Sequence, residues 1–273
     1  MSYWERLFTA DDTNLTEVKN LKERGPFDFV CRNSETLFVT IGDSWTYGAR
    51  LDEEDLSDSG FRIKNTYGYT ISKHLNTDFL NISVPGINNL WMIEKLELLI
   101  KNVSDYKNVR VILMMTEYGR EFNTNFDMDP KLNQIYKNCN SAYKVIKSTT
   151  AHYSNRIEKC SSNKVKIDIF TNYVSNIYKN GKQTNWLEIL CNKKLSDCYT
   201  IGSWVIPKFE HLVDHNQDVK KTDLKKELLN MMELAEKRFD IIYNTGYNHK
   251  SGYGHPNSKG HLKFAEYYLE KHI

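Results

Sequence analysis

The sequence predicts an α/β protein built on a parallel sheet with helices on both faces. Three observations carry this reading. Short apolar runs rich in β-branched residues recur along the chain, segments with a 3.6-residue apolar period alternate with them, and the runs stop at turn-forming residues. At 273 residues the chain is long enough to bury a full core as a single domain spanning 1–273.

The first run, residues 36–41 (Thr-Leu-Phe-Val-Thr-Ile), stops at Gly42-Asp43-Ser44, as a buried strand entering a turn would. Helical spacing follows through Tyr67, Ile71 and Leu75. Residues 79–84 then read as a second strand, ended by Pro85-Gly86. Asn88 or Asn89 is placed to cap a helix carrying Met92, Ile93, Leu96, Leu99 and Ile100, before a third strand at 109–115. A long polar helix is expected over about 130–156, and a fourth strand at 165–170. Between about 171 and 220 the periodicity is lost, which predicts an insertion or lid, with a fifth strand near 199–206. Leu224, Leu228, Met232 and Ala235 mark another amphipathic helix. Leu262, Phe264, Ala265, Tyr268 and Leu269 mark the last, with Asn257 or Ser258 as its cap.

Composition narrows the function classes. Thirty-seven Lys and Arg against thirty-five Asp and Glu leave a formal charge of +2, so the footprint of a nucleic-acid binder is missing. The cluster Lys220-Lys221 to Lys225-Lys226 is broken by Asp223 and Glu227 and reads as a solvated helix face. The densest apolar run, Val111-Ile112-Leu113-Met114-Met115, is far short of a membrane span, and no membrane partner is expected. The start of the chain lacks the apolar core and cleavage site of a secretory signal, so a cytoplasmic, reducing setting is expected. Five widely spaced cysteines without a C-x-x-C pair fit ordinary thiols. His249, His255 and His261 recur every six residues, an interval that does not stack side chains on one helix face, so no metal site and no cofactor are expected. His261 is expected to pack or hydrogen-bond within the last helix.

In an open parallel sheet ligands bind beyond the carboxyl ends of the strands, so the residues just after each run are the informative ones. They are Gly42-Asp43-Ser44-Trp45-Thr46-Tyr47-Gly48, Pro85-Gly86-Ile87-Asn88-Asn89, and Thr116-Glu117-Tyr118-Gly119-Arg120. Opening the last helix is Gly254-His255-Pro256-Asn257-Ser258-Lys259-Gly260-His261. A serine, glycine- and asparagine-bearing turns and a histidine would meet on one rim. A serine hydroxyl becomes nucleophilic only when a hydrogen-bonded base takes its proton, which is the work a histidine there could do.

These blocks, in this order over most of the chain, resemble the SGNH hydrolase superfamily, also called GDSL esterases. The resemblance implies a flavodoxin-like three-layer α/β/α sandwich with a parallel five-stranded sheet. It implies Ser44 as nucleophile, His255 as general base, and the Ser44 and Gly86 amides as oxyanion donors. The family usually carries an acid three positions before its histidine, where this chain has Gly252; Asp240, Ser251 or a backbone carbonyl is left to orient the imidazole. The family's Gly-x-Asn-Asp block is replaced by Thr116-Glu117-Tyr118-Gly119, which leaves Asn88, Asn89 or Thr116 to complete the oxyanion hole. Asp43, Trp45 and Arg120 are candidate substrate contacts. The Arg120 guanidinium suits a carboxylate or phosphate on the ligand, or else simply pairs with Glu121 on a solvated loop. The expected activity is hydrolysis of a small-molecule or carbohydrate acyl ester. An acyltransferase using the same residues and a non-catalytic binding module are the alternatives.

Overall fold

The first apolar run lies inside the sheet, with hydrogen-bonded strands on both sides of it. The computed structural model describes residues 27–49, 51, 55–58, 60–116, 129–139, 142–171, 184–185 and 256–273. Its strands are β1 (Asp28–Val30), β2 (Thr36–Gly42), β3 (Asp78–Ser83), β4 (Asn108–Met115), β5 (Val165–Thr171) and β6 (Thr184–Asn185). Their order across the sheet is β1-β3-β2-β4-β5-β6, and every pairing is parallel except β1 with β3. Setting the antiparallel edge strand aside, five parallel strands run in the order 2-1-3-4-5, the flavodoxin-like arrangement.

The helices are α1 (Ser44–Tyr47), α2 (Phe61–Lys64), α3 (Tyr67–His74), α4 (Asn89–Lys101), α5 (Pro130–Asn138), α6 (Ala142–Cys160) and α7 (Ser258–His272). Parallel crossovers are right-handed. The β2-α3-β3 crossover steps to one side of β2 and the β3-α4-β4 crossover to the other, so α3 and α4 lie on opposite faces. Register sorts the side chains accordingly. Phe38, Phe79 and Arg110 share a face, as do Thr40, Asn81, Ile112 and Asp168. That face meets α3 and α7: a Cβ on Gly68 would stand 2.7 Å from the Phe79 ring and from Thr40 Cγ2, and the Phe38 ring meets Tyr268 edge-on at 6.0 Å. Val39, Leu80 and Val111, with Ile41, Ile82 and Leu113, form an aliphatic opposite face, on the side of α4 and its partner α6.

The structure refines this reading at four points. The helix expected over 130–156 is two, broken at Cys139, whose backbone is extended (φ −88, ψ 132). Asn138, Asn140 and Ser141 surround the break, and such side chains compete for backbone hydrogen bonds and disfavour helix interiors. The fifth parallel strand is β6, within the segment read as an insertion; a strand at 199–206 and the helix at 224–235 lie outside the described residues. Strand β1 was not expected, because three residues carry no readable period. Asn88, not Asn89, caps α4, accepting the Trp91 N–H at 2.9 Å.

On the α4/α6 side, Arg156 forms two parallel hydrogen bonds with Glu97, both at 2.7 Å, and a third with Asp129 at 2.9 Å. Asp129 also caps α5 and lies 3.2 Å from His152 Nε2. Arg156 holds the Glu97 carboxyl below its usual range. Burial pushes Asp129 up, but His152 and the Leu132 and Lys131 amides together outweigh it, and the net shift is down. Carboxyls depressed in the folded state lend stability above the ordinary carboxylate range and lose it as pH falls through their lower folded values. The melting temperature should therefore drop more steeply below about pH 4 in the wild type than in Arg156→Met, with Arg156→Met already about 2 kcal/mol less stable at pH 7. Parallel melting curves from pH 7 to 3 check this, and identical acid slopes would contradict it. Among the described residues, no helix is long and apolar enough to cross a membrane.

Candidate active site

The strand order reverses between β2 and β4, and at that switch point the residues after β2 and β4 come together. Asp43 caps α1, its Oδ1 accepting the Trp45 N–H at 3.0 Å. Its Oδ2 accepts the Thr116 hydroxyl at 3.0 Å, and the carboxylate is fully buried. Thr116 is gripped again by Asn89, whose Oδ1 accepts the Thr116 N–H at 2.8 Å while its Nδ2 donates to the Thr116 carbonyl at 3.0 Å. The ends of β2 and β4 and the start of α4 are thus joined by side chains where the main-chain ladder stops.

Ser44 is the first residue of α1, where the helix leaves its N–H without an intrahelical partner. Its Oγ makes no hydrogen bond to any described residue. The single turn of α1 closes on Gly48, with the Ala49 N–H donating to the Ser44 carbonyl at 2.9 Å. Gly86 lies in the turn after β3 with φ +82, a left-handed conformation that a side chain would strain. The β2–β3 pairing is prolonged to that turn by the Val84 N–H donating to the Gly42 carbonyl at 3.1 Å.

No protein-family model matches the chain, and no curated protein matches it. Similar solved structures exist. One is a member of the lipolytic protein G-D-S-L family from Veillonella parvula, 16% identical, covering 87% of this chain and 98% of that one with a TM-score of 0.37. Another is the lipase Lip_vut3 from a goat rumen metagenome, at 13% identity, 86% and 96% coverage and a TM-score of 0.38. A third is phospholipase A1 from Streptomyces albidoflavus, at 12% identity, 86% and 98% coverage and a TM-score of 0.34.

Of the residues singled out in the sequence, Asp43, Ser44, Asn89 and Thr116 are brought together, with Asn88 adjoining as the cap of α4. Asn89 has both ends of its amide engaged with the Thr116 main chain, and Asn88 Oδ1 is engaged by Trp91. Trp45 is 2% exposed and belongs to the core, so its indole anchors α1 with little surface on the rim. Arg120, Asp240 and His255 lie outside the described residues, as does Gly252. Among the described residues, no group of three or more His, Cys, Asp or Glu is arranged to hold a metal ion.

The sequence reading missed Thr46 and Tyr67. Thr46 is buried over the end of β2, where a Cβ on Gly42 would stand 2.1 Å from Thr46 Oγ1. Its Oγ1 accepts the Tyr67 hydroxyl at 3.2 Å. His261 packs on α7 as expected: it is fully buried, and its Nδ1 accepts the Tyr67 N–H from α3 at 3.2 Å. Helix amides are already spent on their own ladder, the His261 N–H on the Asn257 carbonyl, so this buried ring nitrogen finds its donor at the start of another helix. The available signal was the Ser44-x-Thr46 spacing within one turn. Gly42→Ala should expel Thr46 and cost about 1–3 kcal/mol. A urea midpoint unchanged from wild type would show that the close approach is not needed.

Proposed function

We propose that the protein is a serine-dependent acyl ester hydrolase of the SGNH type, with Ser44 as nucleophile and His255 as general base. The observation that carries this is the placement of Ser44: first residue of a one-turn helix, directly after a buried parallel strand, at the point where strand order reverses. The fold with its switch point accommodates such chemistry, and the choice of chemistry rests on the site residues.

In the proposed reaction, the Ser44 hydroxyl attacks the ester carbonyl while its proton passes to His255, and an Oγ–C bond forms. The negative charge that develops on the carbonyl oxygen is met by the Ser44 and Gly86 amides, with the Asn88 side chain as a further donor. Asn89 and Thr116, each bound to the other, serve by holding the end of β4 in place. The intermediate collapses as the imidazolium returns the proton to the departing alcohol. Water then repeats the sequence on the acyl-enzyme, with the proton again passing through His255, and releases the acid. Asp240, Ser251 or a backbone carbonyl orients His255 in place of the acid absent at Gly252. Arg120 binds an anionic part of the substrate. A small acylated molecule, such as an acetylated sugar, fits these roles.

The test is a fluorophosphonate probe with peptide mapping. One adduct is expected, on Ser44, absent from Ser44→Ala. A folded protein that takes no adduct at pH 8, or a Ser44→Ala variant modified as fast as wild type, would replace the hydrolase with a binding module.

A further inference from the structure

We propose that His261 is a positioning residue for the nucleophile turn, holding α1 in place through Tyr67 and Thr46; this rests on Ser44 being the nucleophile. Groups from three separate elements make two buried hydrogen bonds that meet at Tyr67, one through its hydroxyl and one through its main-chain N–H. The Tyr67 hydroxyl donates to Thr46 Oγ1 at 3.2 Å, and Thr46 is two residues past Ser44 in the single turn of α1. The Tyr67 N–H, at the first position of α3, donates to His261 Nδ1 at 3.2 Å. Thr46 is 1% exposed, and Tyr67 and His261 are not exposed at all.

Packing alone does not account for this choice of residues. The three sites are closed to water, and aliphatic or phenyl side chains would fill them without the cost of burying polar atoms. Directional bonds do something packing does not: they set the height of α1 and α7 against the start of α3. The rings add to the fit, since His261 stacks on Tyr67 at 5.8 Å with an interplanar angle of 17°, and Phe264 from the next turn of α7 meets the same ring at 4.5 Å. Nδ1 serves here as the acceptor of a main-chain N–H, a role that no aliphatic side chain can fill. Burial pushes the Tyr67 hydroxyl far above its usual value, so it stays a donor across the working pH range.

These bonds matter because α1 is too short to hold itself. One turn cannot fix a serine to the tolerance that nucleophilic attack requires, and displacements near 1 Å are worth about 100-fold in rate. Asp43 holds α1 from the β4 side, and Thr46 holds it from the α3/α7 side.

The experiment compares the second-order rate of Ser44 modification by a fluorophosphonate in wild type, His261→Leu, His261→Asn and Tyr67→Phe, each first shown to unfold cooperatively. Leucine keeps the bulk but removes the acceptor, whereas an asparagine Oδ1 sits where Nδ1 was. His261→Leu and Tyr67→Phe should react roughly 10- to 100-fold more slowly, with the loss in kcat and not KM on an activated ester, and His261→Asn should recover most of the rate. A folded His261→Leu that reacts like wild type, or an asparagine variant as slow as the leucine one, would overturn the proposal. Should His261→Leu not fold, His261→Phe, which keeps a ring against Tyr67 but has no acceptor, takes its place with the same expected loss. A wild type that takes no adduct removes the nucleophile assignment itself and this proposal with it. A reactive wild type with unaffected variants removes only the positioning role.

Discussion

His255→Ala is expected to lower hydrolysis of a small activated ester by at least about 10⁴-fold, leaving thermal stability close to wild type. On the proposed mechanism, without the imidazole nothing removes the Ser44 proton during attack or returns it to the leaving alcohol. What remains is binding and the amide donors, which alone sustain only a small part of the rate in serine enzymes. The outcome is read as kcat at saturating ester, with the unfolding midpoint measured alongside. Full activity in His255→Ala would place the base elsewhere. Gly252→Asp extends the measurement. A carboxylate three residues before the histidine should hold or raise the rate if imidazole orientation is limiting, and a loss of rate would mean that another group already orients His255.

The second large effect concerns the buried carboxylate at the end of β2. Asp43→Ala should destabilise the fold by about 3 kcal/mol, since it removes the cap of α1 and leaves the Trp45 N–H and the Thr116 hydroxyl buried without this acceptor. Asp43→Asn should cost less, about 1 kcal/mol, because its oxygen can still accept from Trp45 while the Thr116 hydroxyl turns to accept from the new amide. Thr116→Val should fall between them. Urea midpoints of the three variants give the ranking, and an alanine variant as stable as wild type would mean that the carboxylate holds nothing together. On the catalytic reading, Asp43→Ala also slows Ser44, because the turn that presents it is no longer tied to β4.

How much of this was legible beforehand depends on the kind of signal. Residues 36–41, 79–84 and 109–115 announced buried strands because a parallel strand covered on both faces must be apolar throughout, and the structure places β2, β3 and β4 there within one or two residues. The cap of α7 at Asn257 was readable for a local reason as well, since capping needs only a side-chain oxygen two or three residues from a free amide. Strand β6 was not readable, because two residues have no period, whereas the break at Cys139 was overlooked although Asn138, Asn140 and Ser141 carried its signal.

The same division holds at the site. Local pattern by itself determined the alternation of strands and helices, and with it the rim on which Ser44, Gly86, Asn88 and Thr116 had to stand, because the chemistry of a turn is written in adjacent residues. Tertiary structure alone decided what those residues are bonded to. Asp43 and Thr116 are 73 positions apart, and Tyr67 and His261 are 194 apart. Only the parallel pairing of β2 with β4 at the sheet's reversal, and the packing of α7 onto α3, brings them within hydrogen-bonding distance. A buried polar group must find a partner, but periodicity along the chain does not say which one, because the partner is chosen by proximity in space.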